Sequence, residues 1–88
     1  MLYHSIDFTK NFSKQFKVLS PKQKERFYER LELFKTNPHD KILRDHALKG
    51  KYKGYRSIDI ESELRALYYV KGDTLVIFGF IGTHCQLY

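Results

Sequence analysis

Residues 57–81 read Ser57-Ile58-Asp59-Ile60-Glu61-Ser62-Glu63-Leu64-Arg65-Ala66-Leu67-Tyr68-Tyr69-Val70-Lys71-Gly72-Asp73-Thr74-Leu75-Val76-Ile77-Phe78-Gly79-Phe80-Ile81. From Ser57 to Glu61 polar and apolar residues alternate, the period of a half-buried strand. Leu64 to Val70 is aliphatic and aromatic on both parities, as a central strand is. Lys71-Gly72-Asp73 is a hairpin turn, and Thr74 to Ile81 is a second central strand.

Upstream the period changes. Phe8, Phe12, Phe16 and Leu19 recur at the spacing of one helix face, with Asp7 as the expected cap. Ser20-Pro21-Lys22-Gln23 reads as a capping box with proline at the first helical position. Phe27, Leu31 and Phe34 then mark a buried stripe, and Asn37-Pro38 ends the helix. So short a turn predicts an antiparallel helical hairpin. Leu2 to Ile6 is a candidate edge strand, and residues 39–54, without period, read as a loop. The expected fold is α+β, in the order β-α-α-β-β-β. The hairpin covers one face of a curved, mainly antiparallel sheet, in a single domain over residues 1–88.

Parity assigns the other face. If Ile58 and Ile60 point to the helices, then Ser57, Asp59 and Glu61 point away. On the next strand Arg65, Leu67 and Tyr69 form the more polar set. Arg65 is therefore expected beside Asp59, and a one-residue slip would invert the assignment.

The 88 residues hold 14 aromatic side chains, Tyr 7 and Phe 7, which argues against disorder. No apolar run approaches the roughly 20 residues of a membrane helix. The first residues lack the pattern of a signal peptide. One cysteine, Cys85, allows no internal disulfide, and a cytoplasmic setting fits best. The net charge of +6 points to an anionic partner. Most of that excess is local: Lys41, Arg44, Lys49, Lys51, Lys53 and Arg56 stand against one acid, Asp45. Tyr52 and Tyr55 interleave with them. Phosphates attract such cations and bases stack on such rings, although a solvated basic loop reads equally well.

Among four histidines, His46 lies in the basic loop and His84 follows the last strand; His4 and His39 have no suggestive company. Imidazole is suited to moving protons near neutral pH, yet a single histidine is more often structural. His84 and Cys85 are adjacent and point apart in extended chain, and no metal-ligand spacing or cofactor motif occurs, so neither metal nor cofactor is expected. One arrangement suits RNA. Attack by the 2′-hydroxyl needs a base, an acid and positive charge at phosphorus. His84, His46, Asp59 or Glu63, and Arg65 are candidates for those parts, with Tyr88 to stack on or orient a base.

Two segments carry a resemblance. Asp45-His46-Ala47-Leu48-Lys49-Gly50 continues into Tyr52-Lys53-Gly54-Tyr55-Arg56, and Gly82-Thr83-His84 is followed by Leu87-Tyr88. Together they resemble the YafQ branch of the RelE/ParE toxins, whose pattern is D-H-x-L-x-G-x-[WY]-x-G-[YF]-R with a C-terminal G-[TS]-H-x-x-L-[FY]. The resemblance implies a toxin of a type II toxin–antitoxin system. It implies a ribosome-dependent mRNA interferase, an endoribonuclease that cuts mRNA in the ribosomal A site amid rRNA. It also implies neutralisation by a cognate antitoxin. Carried over by position, His46 and His84 match active-site histidines and Tyr88 the terminal aromatic. Arg65 matches the phosphate-facing arginine of the RelE branch, and Arg56 the arginine of G-[YF]-R. The pattern departs where relatives carry Asp, His and Asp, because this chain has Ser57, Asp59 and Glu63. An aspartic acid, ordinarily titrating near about 3.9, is a different acid from histidine. The expected catalytic set is thus His84, His46, Asp59, Glu63, Arg65 and Tyr88. The expected RNA-binding set is Lys49, Lys51, Lys53, Tyr52, Arg56 and Arg44. Competing expectations are a ParE-like inhibitor of DNA gyrase and a degenerate relative that only binds a partner.

Overall fold

The structure is a computed structural model and describes residues 5–88. Its strands are β1 (Ser5–Phe8), β2 (His46–Ala47), β3 (Arg56–Glu61), β4 (Leu64–Lys71) and β5 (Leu75–Thr83). Its helices are α1 (Lys10–Lys17), α2 (Pro21–Thr36) and the single turn α3 (His84–Leu87). Two 3-10 turns, Lys41–Leu43 and Gly50–Tyr52, flank β2. The five strands lie in the order β1-β5-β4-β3-β2. β1 runs parallel to β5, and the remaining pairs are antiparallel.

The expected α+β layering holds, with local corrections. The edge strand is Ser5–Phe8, whereas Leu2, Tyr3 and His4 lie outside the described residues. Asp7 sits in β1, where its carboxylate accepts from the Phe8 amide. The cap of α1 is Thr9, whose hydroxyl accepts from Phe12 N at 3.0 Å. Phe8 therefore ends the strand instead of opening the helix, because the chain hydrogen-bonds along β5 until Thr9 N meets Phe78 O. The Ser20–Gln23 capping box forms reciprocally, and α2 stops at Thr36. The stretch expected as loop contains β2, and the C-terminal tail closes as a helical turn. That turn has its own capping box, Thr83 with Gln86.

One side of the sheet carries the main core. Phe12, Phe27, Leu31 and Phe34 from the helices meet Ile58, Ile60, Leu64, Ala66, Tyr68, Val76, Phe78 and Ile81 from the strands. Each such large side chain contributes about 1.5–3 kcal/mol on leaving water. Burial therefore outweighs the Ser20 cap, which contributes about 1 kcal/mol. Two bulges bend the sheet. In β5, Gly79 is the unpaired residue between Phe78 and Phe80, which oppose Tyr68 and Leu67. Its carbonyl accepts from Thr9 Oγ1 at 3.2 Å and Asn11 Nδ2 at 3.0 Å, tying α1 to the strand. In β3, Ile60 is unpaired between Asp59 and Glu61, and its carbonyl accepts from Arg30 Nε at 3.1 Å.

Candidate active site

The face away from the helices is only partly open. Leu67, Tyr52 and Leu87 form a second buried cluster there, backed by Leu48, Tyr55 and Phe80. Tyr52 OH donates to the Leu87 carbonyl at 2.6 Å, which fastens α3 onto the sheet. The Tyr52 ring meets the rings of Tyr55, Phe80 and Tyr88, and Lys51 Nζ stands 5.2 Å from its centroid. Tyr52 is thus a buried support, and no face of it is open for a base to stack on.

Around this platform the candidate residues gather. Asp59 and Arg65 are direct partners across β3 and β4, as parity required. Their ion pair, Nε to Oδ1, is 2.9 Å long with both side chains largely buried. The N–H direction does not meet hydrogen-bond geometry, and Oδ1 is enclosed. Arg44 Nε approaches the other carboxylate oxygen at 3.5 Å. Arg65 Nη1 donates to the Ser62 carbonyl at 2.7 Å and to the Leu64 carbonyl at 3.4 Å. Ser62 turns the chain from β3 to β4 with φ at 37°, the left-handed region.

His46 is the cross-strand partner of Ser57 on the same face. Its Nδ1 lies 2.8 Å from the Arg44 carbonyl. A carbonyl only accepts, so in neutral His46 the hydrogen is on Nδ1 and Nε2 is free to accept. His84 opens α3, two residues beyond Gly82, the β5 partner of Arg65. Its amide donates to the Glu63 carbonyl at 3.0 Å. The Glu63 carboxylate is exposed, with no partner among the described residues. The exposed His84 ring lies against Tyr88, centroids 4.8 Å apart. The Tyr88 phenol is held above its usual range by burial foremost, and Tyr52 adds to the rise. Ser57 and Arg65 pull the other way, which places both beside Tyr88. Ser57 Oγ is buried yet makes no well-formed hydrogen bond, to Tyr88 or elsewhere among the described residues.

The basic residues divide. Lys49 and Lys53 are exposed on either side of the Gly50–Tyr52 turn, without partners among the described residues. Arg56 has a structural tie: its Nε donates to Asp45 Oδ1 at 2.6 Å, while Tyr68 OH donates to Asp45 Oδ2. Asp45 raises the Arg56 pKa, chiefly through this hydrogen bond. A cleft of about 470 Å³ beside this tie mixes charges, with Lys41, Arg44 and Arg56 against Asp40 and Asp45. Asp45 is the residue that sequence reasoning missed. The signal was present, since it is the lone acid in a basic run. Among the described residues no cluster of His, Cys, Asp and Glu has metal-binding geometry, and no helix is long and apolar enough to cross a membrane.

Known proteins share this fold. Residues 4–88 match the family described as bacterial toxin of type II toxin–antitoxin system, YafQ. The mRNA interferase toxin YafQ of Escherichia coli strain K12 is 28% identical over 92 residues, spanning 100% of this chain and 99% of the relative. The crystal structure of YafQ from E. coli strain BL21(DE3) superposes with a TM-score of 0.80 at 28% identity, covering 94% of this chain and 96% of that one. The toxin in the E. coli DinJ-YafQ toxin–antitoxin complex gives 0.78 at 26% identity, covering 100% and 99%. With nearly its whole length matched, the chain belongs to the YafQ family of bacterial toxins of type II toxin–antitoxin systems.

Proposed function

We propose that this protein is an mRNA interferase that cleaves message through the RNA's own 2′-hydroxyl, on the ribosome, and that a cognate antitoxin neutralises it. One observation carries the reading: His46, Asp59, Arg65, His84 and Tyr88 gather on the sheet face away from the helices, with Arg44 drawn in against Asp59. Relatives named as mRNA interferase toxins, and one solved with its antitoxin, support it. The gyrase alternative draws on a likeness to a YoeB/ParE toxin at 20% identity, which supports the fold alone.

The roles follow from exposure and bonding. A base removes the 2′-hydroxyl proton, O2′ bonds to phosphorus, the P–O5′ bond breaks, and an acid protonates O5′. His84 and His46 present exposed imidazoles for the two transfers. Arg65 faces the charge that grows on the phosphoryl oxygens, a type of stabilisation that contributes about 3–4 kcal/mol per donor. Tyr88, half-exposed and neutral, positions a base by stacking and donation. Glu63 and Asp59 complete the proposed set. Lys49, Lys51, Lys53, Arg44 and Arg56 form the rim that draws in the phosphate backbone of mRNA and rRNA, in the cytoplasm where ribosomes work. His84→Ala is expected to abolish growth arrest while the protein still folds and binds antitoxin, with cut sites in a translated message lost. Full toxicity of that variant overturns the assignment.

A further inference from the structure

We propose that Asp59 is a positioning residue for Arg65 and carries no proton in the reaction, an inference that rests on the cleavage reading above.

Geometry separates Asp59 from the histidines. A proton carrier must present an atom to the substrate. Asp59 Oδ1 is enclosed and faces Arg65 Nε at 2.9 Å, and Oδ2 faces Arg44 Nε at 3.5 Å. Both oxygens are turned to guanidinium groups, one from β4 and one from the segment before β2. His46 Nε2 and the His84 ring, by contrast, are exposed.

The guanidinium is held on two sides. Asp59 fixes its Nε edge, and the Ser62 carbonyl fixes Nη1 at 2.7 Å. No bond from Nη2 is formed among the described residues, so that nitrogen is left for a phosphoryl oxygen. Arginine is a long, rotamer-rich side chain, and a group clamped in advance loses no freedom when charge develops. Misplacing a catalytic group by about 1 Å costs roughly 10²-fold in rate. Two guanidinium groups around one carboxylate leave that cluster with one positive charge in excess.

The test compares Asp59→Asn with Asp59→Ala. Asparagine loses the charge but keeps an oxygen beside Arg65 Nε, which a small turn of the side chain makes an acceptor, and alanine keeps none. With ribosome-bound message, Asp59→Asn is expected to cleave within about tenfold of the natural protein, the difference between a charged and a neutral acceptor. Its pH–rate profile should keep both limbs. Asp59→Ala should lose about 10²-fold in kcat with little change in KM. Asparagine as inactive as alanine, or a profile that loses its acidic limb, overturns the proposal.

A spectroscopic readout stands apart from activity. The Arg65 Nε–H resonance, assigned through Arg65→Lys, should stay dispersed in Asp59→Asn and collapse toward free arginine in Asp59→Ala. Loss of dispersion in the asparagine variant refutes positioning even if alanine fails to fold. If the natural protein leaves message intact, the cleavage reading falls and takes the proton half with it. The resonance then decides the positioning half.

Discussion

Asp45 shows how a single side chain can decide the shape of a site without entering its chemistry. Its carboxylate receives Arg56 Nε from β3 and Tyr68 OH from β4, and the next residue is His46 in β2. Three strands are thus tied at one point. Asp45→Ala would leave the buried Tyr68 hydroxyl without this acceptor and loosen Arg56, a loss of about 1–3 kcal/mol. Tyr68→Phe removes one donor and should cost nearer to 1 kcal/mol. Urea midpoints of the two variants check the order, and equal stability of Asp45→Ala and the natural protein contradicts the tie. The residue scale also shows what patterning could and could not reveal. Alternation placed Arg65 beside Asp59, because the period holds up to Asp59; past the Ile60 bulge it fails, and Glu61, expected to point away, meets Arg26 of α2 at 3.6 Å. Alternation was silent on Asp45, whose partners come from two other strands, and on Tyr52, whose aromatic character fits a stacking surface and a buried prop equally well.

At the scale of elements, strong local signals were legible and weak ones were not. The Ser20 box, the Asn37-Pro38 stop and the β4–β5 hairpin each rest on a few adjacent residues. β2 is two residues long and exists through its pairing with β3, so no period marks it. α3 is one turn, too short for a period to show, and its cap, Thr83 with Gln86, comes to light only in the structure. The displaced start of α1 has the same origin: Asp7 and Thr9 are both capable caps, and pairing of β1 with β5 selects the later one. Gly79 is the element-scale position most open to test. A Cβ there would lie 3.0 Å from Tyr55 Cε2 and 3.2 Å from its hydroxyl. Tyr55 is itself wedged among Tyr52, Tyr69 and Phe80. Gly79→Ala should therefore destabilise by about 1–3 kcal/mol through overpacking. A thermal midpoint equal to that of the natural protein would show that the Tyr55 ring yields.

For the whole molecule, two partly covered phenols set an alkaline limit. Burial raises the pKa of Tyr88 and of Tyr55, with Tyr69 adding to the latter. A raised phenol ionises later in the folded chain than in the unfolded one. The stability it contributes is fully present below about pH 10 and is lost as pH climbs through the folded value. Urea midpoints should hold between pH 8 and 9.5 and fall above 10, and Tyr88→Phe should lessen that fall. A larger consequence comes from the parallel pairing of β1 with β5. Ser5 aligns with Leu75, and Thr9 Oγ1 bonds to Gly79 O, 70 residues away. Contacts that far apart are slow to close. During synthesis the first strand must wait, unpaired, until β5 has been made. The platform under His84 likewise requires Leu87. The face that gathers His46, Asp59, Arg65, His84 and Tyr88 is consequently incomplete while most of the chain is being translated, and the order in which the strands appear makes it the last part of the molecule to take shape.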